Sequence, residues 1–208
     1  HPAIVSAIDA GSTDDGRPFV VMPLVPGMPI TQYCIERSLS LREKLELFIC
    51  VCEGIQHAHA RGVIHRDLKP ANLFLAERDD GSSIVKVLDF GIAKVAERQS
   101  PNTGGTVKGK LSYMSPEQIT GQALDSKSDI YSMGIVFWEL LTRHRLFFGS
   151  DEQDVVRRVR DGVVPPPRQY NPDIPEEVEK IVLAMLVPNR TTRIQTAGEA
   201  VKQLMALP

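Results

Sequence analysis

The sequence predicts an α+β fold in which short strands come before residue 90 and helices dominate the remainder. Short apolar runs bounded by turn residues indicate the strands. Helix-capping signatures that precede longer apolar stripes indicate the helices. The longest stripe, residues 126–142, is apolar enough for a fully buried helix. A chain of 208 residues can form one domain with a sizeable core.

The predicted strands fall into two groups. The first two, residues 5–8 and 18–24, flank a turn rich in Gly and Asp at residues 11–16. The other two are short apolar runs at residues 73–75 and 84–88, and the second of these ends just before Asp89.

Helices are predicted where a capping signature meets an apolar stripe. Ser40 and Glu43 have the spacing of a capping box that opens a helix ending near Gly62. The apolar stripe of this helix comprises Leu41, Leu45, Phe48, Cys52, Ile55 and His59, with His59 expected to be a core histidine. Later helices are predicted at residues 126–142 and 175–186, and after capping boxes at Ser150/Gln153 and Thr196/Glu199.

Composition excludes several classes of protein. The hydrophobic content is 42% and the charged content 24%, which are ordinary for a globular domain. A net charge of −2 indicates no nucleic-acid partner, and no apolar run is long enough for membrane contact within this segment. The three cysteines, Cys34, Cys50 and Cys52, are odd in number and clustered, which predicts no disulfide framework and a cytoplasmic location.

The most informative segment is residues 65–72, which read His-Arg-Asp-Leu-Lys-Pro-Ala-Asn. It is followed at residues 89–91 by Asp-Phe-Gly. Together the two motifs supply a candidate general base, a cation and two hard oxygen ligands for magnesium. This set of groups suits the transfer of a phosphoryl group from ATP to a hydroxyl.

In these motifs the chain resembles the protein kinase family, and the motif sequences are similar to those of bacterial Ser/Thr kinases. The match continues through Ser115-Pro116-Glu117, residues 129–134 and Arg193, so it covers essentially the whole chain. The resemblance implies a protein-kinase-like fold. Its parts are expected to be the end of the N-lobe at residues 1–22, a hinge at 23–29 and the C-lobe at 30–208, with a catalytic loop at 65–72 and an activation segment at 89–117.

The first residues resemble the string that introduces the fourth strand of a kinase N-lobe. The chain opens with His-Pro-Ala-Ile-Val, and it contains neither a Gly-x-Gly-x-x-Gly loop nor a Val-Ala-x-Lys string. The resemblance therefore implies a fragment that lacks most of the N-lobe. This fragment alone is expected to be a poor catalyst, because the phosphate loop and the N-lobe lysine position ATP.

The resemblance also implies a role for each residue of the catalytic segment. Asp67 is expected to be the catalytic base, and Lys69 is expected to offset charge on the transferred phosphoryl group. Asn72 and Asp89 are expected to hold Mg²⁺ against the phosphates of ATP.

The adenine side of the site is implied in the same way. Met22 is expected at the gatekeeper position, and the backbone of Leu24 or Val25 is expected to hydrogen-bond to adenine. Phe74 is expected to pack beneath the adenine ring.

Regulation and scaffolding residues complete the expected set. Arg66 is expected to pair with a phosphorylated activation loop, with Thr106 as the main phosphorylation candidate and Ser100 and Thr103 as weaker ones. The predicted partners are therefore protein substrates with Ser or Thr, and the chain itself through self-phosphorylation. The structural contacts implied are His65 with Phe90, Asp129 with the catalytic-loop backbone, and Glu117 with Arg193.

Two residues depart from the family pattern. Lys110 stands where a threonine is common, so it is expected either to pair with Asp67 or to point outward. Ala71 stands where many kinases carry a glutamate that reads basic substrates. Two alternatives to an active kinase remain, a pseudokinase that acts as a docking module and a small-molecule phosphotransferase. Lys69 and the Ser115-Pro116-Glu117 segment favour protein substrates over the second alternative.

Overall fold

The computed structural model describes residues 1–77, 82–90 and 107–207. Within these ranges the strands are β1 (Asp9–Ser12), β2 (Pro18–Val21), β3 (Gly27–Pro29), β4 (Leu73–Glu77) and β5 (Ser83–Val87). The helices are α1 (Ile30–Glu36), α2 (Leu41–His59), α3 (Val107–Leu111), α4 (Pro116–Ile119), α5 (Ser126–Thr142), α6 (Glu152–Asp161), α7 (Glu176–Met185) and α8 (Ala197–Met205). The predicted α+β class is confirmed.

The first two strands form an antiparallel hairpin whose position differs from the prediction. β1 pairs with β2 in a register that sets Asp9 opposite Val21 and Ser12 opposite Pro18. The predicted strand at residues 5–8 is therefore wrong. The turn decides the register. Thr13 N donates to Arg17 O at 2.8 Å, and this bond sets the residues directly before Thr13 opposite β2.

The remaining strands form a sheet in the order β3-β4-β5, with both pairs antiparallel. The strands predicted at residues 73–75 and 84–88 correspond to β4 and β5. The expected hinge at residues 23–29 is partly strand, since Gly27 pairs with Ala76 and Pro29 with Phe74. This pairing anchors the end of that connection on the strand that directly follows the catalytic segment.

Gly27 tolerates no side chain in this pairing. A Cβ at this position would lie 2.1 Å from the backbone oxygen of Leu75. Gly27→Ala is therefore expected to lower the free energy of unfolding by about 1–3 kcal/mol, because the strand must shift to relieve the overlap. Denaturant unfolding measures the loss. Gly109→Ala is the matched control, since a Cβ at Gly109 has nothing within 4 Å, and equal stability of the two variants would contradict the prediction.

Helix α5 is the centre of the core. Every residue from Ser128 to Thr142 is buried, as the apolar sequence predicted. Helix α2 packs against it, with the rings of Phe48 and Phe137 stacked at a centroid distance of 4.1 Å. No helix in the described part of the chain is long and apolar enough to cross a membrane.

The helix caps confirm one of the three predicted capping boxes in full and a second one in part. Ser40 and Glu43 form the predicted reciprocal capping box at the start of α2. Thr196 caps α8 as predicted by accepting from Glu199 N, but the Glu199 side chain accepts from Gln195 N and not from Thr196 N. The box predicted at Ser150 is wrong: Asp151 caps α6 instead, because its Oδ1 accepts a hydrogen bond from Asp154 N at 2.9 Å.

Candidate active site

The catalytic segment is held by a buried carboxylate at the start of α5. Asp129 accepts hydrogen bonds from the backbone nitrogens of His65 and Arg66, each at 2.8 Å. The side chain of Asp129 is 1% exposed and also lies 2.7 Å from His59 Nε2. The predicted role of Asp129 is confirmed, and so is the prediction that His59 belongs to the core. The contacts also hold Arg66 in a left-handed backbone conformation, with φ at 67°.

Asp67 and Lys69 form the candidate catalytic pair. Lys69 Nζ lies 3.3 Å from Asp67 Oδ2, and the side chains are 28% and 19% exposed respectively. The Asp67 backbone is held on both sides, since its nitrogen donates to His65 Nδ1 and its oxygen accepts from Asn72 Nδ2 at 2.8 Å. A carboxylate and a cation therefore meet on a fixed backbone and remain reachable from the surface.

Asn72 and Asp89 are adjacent across the end of the β4-β5 ladder. Leu73 pairs with Val87, and Leu88 N donates to Asn72 O at 2.9 Å, which extends the ladder to the residue before Asp89. The Asn72 side chain is turned by its Nδ2 bond to Asp67, so its amide oxygen is left for another contact. Asp89 is exposed and has a left-handed backbone with φ at 52°.

This donor set fits magnesium bound together with a nucleotide. In the described ranges no three His, Cys, Asp or Glu side chains are grouped around a possible metal position. Asn72 and Asp89 supply two hard oxygens. Mg²⁺ in phosphoryl-transfer sites commonly takes one or two protein oxygens and completes its shell with water and phosphates. The two oxygen donors Asn72 and Asp89 match this coordination.

The ring of His65 connects the catalytic segment to the start of the activation segment. Its centroid lies 4.7 Å from that of Phe90, and Nε2 lies 2.8 Å from Leu88 O. The predicted contact between His65 and Phe90 is confirmed. It holds the backbone on both sides of Asp89 next to the catalytic segment.

The residues expected around adenine lie on the connection between β2 and β4. Met22 and Val25 are partly buried, and Leu24 is 92% exposed. Across residues 1–77, 82–90 and 107–207 no hydrogen bond uses the backbone of Leu24 or Val25. Phe74 is partly buried in β4 opposite Pro29. These four residues stay predicted nucleotide contacts.

A buried ion pair ties the segment after the activation loop to the C-terminal region. Arg193 donates to both oxygens of Glu117, at 2.8 and 3.1 Å, and the two side chains are 0% and 3% exposed. Burial raises the pKa of Glu117, but the hydrogen bonds and charge of Arg193 outweigh it and hold the pKa below its usual value. The predicted pair between Glu117 and Arg193 is confirmed.

Sequence reasoning missed the contact made by Gln118. Its Nε2 donates to Arg66 O at 2.8 Å, while its Oε1 accepts from Ser115 N and completes a capping box on α4. Gln118 thereby links the Ser-Pro-Glu segment directly to the catalytic loop. The Ser115-x-x-Gln118 spacing was the signal in the sequence, but the contact with Arg66 depends on a fold that brings distant residues together.

The activation segment carries the predicted phosphorylation sites and Lys110. Thr106, with Ser100 and Thr103, lies outside the described residues. Lys110 is described and lines a cavity beside Lys69. In the described part of the chain, the lysine that pairs with Asp67 is Lys69. Of the two orientations expected for Lys110, pairing with Asp67 is therefore not observed.

The family model described as protein kinase domain matches residues 1–205. The chain belongs to the protein kinase family. It is 37% identical over 190 residues to the serine/threonine-protein kinase Pkn1 of Myxococcus xanthus, a match that covers 89% of this chain and 27% of that kinase. It is 35% identical over 200 residues to the kinase PrkC of Bacillus subtilis, covering 96% of this chain and 30% of the relative.

A third kinase relative is PknB of Mycolicibacterium smegmatis, which is 35% identical over 210 residues. The match covers 96% of this chain and 32% of that protein. The chain thus spans about a third or less of the length of these curated kinases. The predicted kinase-like fold and the resemblance to bacterial Ser/Thr kinases are confirmed.

Proposed function

We propose that the protein containing this chain transfers the γ-phosphate of ATP to Ser or Thr hydroxyls of proteins. The observation that carries the proposal is the fixed placement of Asp67 beside Lys69, with Asn72 bonded to the Asp67 backbone. The names of the relatives, all serine/threonine-protein kinases, support the same reaction.

Each residue of the segment has a role in this reaction. Asp67 orients the substrate hydroxyl and accepts its proton as the oxygen attacks phosphorus. Lys69 lies 3.3 Å from that carboxylate, where its charge offsets the negative charge of the phosphoryl group in transfer. Asn72 and Asp89 would hold Mg²⁺, which neutralises charge on the ATP phosphates when bound.

The nucleotide and regulatory residues extend the proposal. Met22, Leu24, Val25 and Phe74 would contact adenine, and the unbonded backbone of Leu24 and Val25 supports this assignment. Arg66 would pair with a phosphate on Thr106 after self-phosphorylation. Mass spectrometry of the protein after incubation with Mg-ATP tests this last step.

The division into lobes and the cellular location belong to the same proposal. Residues 1–22 would end the N-lobe, 23–29 would form the hinge and 30–208 the C-lobe. A cytoplasmic location stays a prediction from the cysteines, and all three cysteines, Cys34, Cys50 and Cys52, are free.

The deciding experiment measures transfer of labelled γ-phosphate to protein Ser and Thr by the protein at its natural length. Asp89→Asn is expected to lower the rate at saturating ATP by about 100-fold or more and to raise the Mg²⁺ concentration needed, because one metal oxygen is lost. Asp14→Asn is the matched control, since Asp14 is an exposed residue of the β1-β2 turn. Absence of label with wild-type protein that binds Mg-ATP would instead support the pseudokinase alternative.

A further inference from the structure

A cavity of about 830 Å³ opens beside the catalytic pair. We call it the basic cavity. Its walls come from α1, the first turn of α2, the catalytic segment, the chain from α3 to Tyr113, and the end of α5 with the residues after it. Lys69 forms part of the wall and also pairs with Asp67, so the cavity lies next to the catalytic pair. A peptide whose hydroxyl reaches Asp67 would therefore have neighbouring residues within reach of this cavity.

The lining carries a surplus of positive charge. Its cationic side chains are Lys44, Lys69, Lys110, Arg143 and Arg145, and its carboxylate among the described residues is Glu139. Substrates with basic flanking residues would meet a wall of like charge here, which is unfavourable in a partly enclosed space.

Glu139 pairs with one cation of this wall, Arg145. Its Oε2 accepts a hydrogen bond from the Tyr113 hydroxyl at 2.7 Å, and its Oε1 accepts from Leu146 N at 3.2 Å. Arg145 Nη1 lies 3.9 Å from the same carboxylate and also bonds to the Tyr113 hydroxyl. Burial raises the pKa of Glu139, while the hydrogen bonds from Tyr113 and Leu146 and the charge of Arg145 act in the opposite direction. This carboxylate is thus occupied by three neighbours and is 5% exposed.

Lys44 is the observation that points to a ligand. It is 6% exposed and lines the cavity, and within residues 1–77, 82–90 and 107–207 its side chain makes no hydrogen bond or ion pair, although its backbone nitrogen donates to Ser40 O. Burial and then the nearby charge of Arg143 lower the pKa of its ammonium. The ammonium of this largely buried lysine lies at the cavity wall without a protein counter-ion, and an anion bound in the cavity would supply one.

Arg143 and Lys110 add two more cations that are available to a ligand. Neither side chain has a hydrogen-bond or ion-pair partner in the part of the chain that the structure describes. Arg143 is exposed at the left-handed C-cap of α5, with φ at 61°, so its side chain starts from a fixed position at the cavity rim. Three cations from three distant parts of the sequence therefore converge on one space.

We infer that the basic cavity binds Asp or Glu side chains that flank the phosphorylated Ser or Thr of the protein substrate, which makes this an acid-directed kinase. That the bound peptide is a substrate rests on the proposed phosphotransfer. That the cavity binds an anion follows from the cavity itself. Ala71 in the cavity wall is consistent with it, because this position carries no carboxylate to attract a basic side chain.

The test uses the protein at its natural length and three peptides that share one Ser and differ only in flanking Glu, Gln or Lys residues. The Glu peptide is expected to have a kcat/KM about tenfold or more above that of the Gln peptide, with the Lys peptide lowest. Arg143→Asn keeps a residue that tolerates the left-handed backbone and is expected to bring the Glu-to-Gln ratio close to one.

Two further variants complete the design. Lys44→Met removes the buried charge while filling the same space, and it is expected to lower the ratio as Arg143→Asn does. Arg42→Gln is the matched control, because Arg42 lies on the same helix but its side chain is 89% exposed and pairs with Glu46. A ratio near one in the wild type, or a ratio unchanged in both cavity variants, would overturn the inference.

A binding measurement separates this inference from the proposed function. If no peptide is phosphorylated, fluorescence anisotropy of the labelled Glu and Gln peptides still decides the cavity assignment, and label transfer to proteins decides the proposed function separately. Tighter binding of the Glu peptide that is lost in Arg143→Asn supports the anion site. Equal binding of the two peptides overturns it.

Discussion

Asp67→Asn is expected to lower kcat for protein phosphorylation by about 10²–10⁴-fold, because the amide cannot accept the proton of the attacking hydroxyl. The substitution keeps the shape of the side chain. It also leaves the backbone oxygen that accepts from Asn72 Nδ2 and the backbone nitrogen that donates to His65. The catalytic segment should therefore keep its conformation, and the affinity for Mg-ATP should remain within a few-fold of the wild-type value.

The measurement is single-turnover transfer of labelled phosphate at saturating Mg-ATP, together with the dissociation constant for the nucleotide. Asp173→Asn is the matched control, since Asp173 is exposed before α7 and away from the catalytic segment. A wild-type rate in Asp67→Asn would remove Asp67 from its proposed role. A loss of Mg-ATP binding would assign the residue to metal coordination instead.

Arg193→Met is expected to lower the free energy of unfolding by about 3–5 kcal/mol, because it leaves the carboxylate of Glu117 buried and without its cation. The guanidinium is 0% exposed and donates to both Glu117 oxygens. It also donates to the backbone oxygens of Val187, Pro188 and Lys127. One side chain thus joins the segment after the activation loop to the start of α5 and to the chain after α7.

Arg190→Met provides the control for this measurement. Arg190 pairs with Asp125 at 3.6 Å, and both side chains are about a third exposed or more. Its loss should cost about 1 kcal/mol or less, since water screens such pairs. Equal losses in Arg193→Met and Arg190→Met, measured by denaturant unfolding, would contradict the prediction.

The same pair predicts a direction for the pH dependence of stability. The pKa of Glu117 in the folded protein is below its ordinary value of 4.5, so this carboxylate takes up its proton at a higher pH in the unfolded chain than in the folded protein. The stabilising contribution of Glu117 is therefore complete above about pH 4.5 and declines as the pH falls through the lower, folded pKa. Glu117→Gln should flatten this decline in acid unfolding curves. A decline of unchanged steepness would rule Glu117 out as its source.

Much of the candidate site could be predicted because its residues are close in sequence. Asp67, Lys69 and Asn72 lie within one short loop, and a motif of contiguous residues specifies their relative positions with little help from the remainder of the fold. The buried helix α5 was likewise predictable with its bounds, since its apolar character is a local property of the sequence.

Local signals failed where two neighbouring residues offered similar chemistry. Ser150 and Asp151 can both cap a helix, and the carboxylate of Asp151 makes the bond that is observed. The first strand was predicted at residues 5–8 because that run is apolar, but the turn at Thr13 decides which residues pair with β2. Strand pairing depends on partners and turns more than on the residues of one strand.

The sequence by itself determined the family and the ion pair that joins Glu117 to Arg193, and it predicts the catalytic residues, because each follows from a motif of characteristic residues at characteristic positions. Only the tertiary structure decided that Gln118 bonds to Arg66 and that Lys44, Lys110 and Arg143 share one cavity. These contacts bring together residues far apart in the chain. The three cations come close enough for their charges to act on one another only after the helices pack.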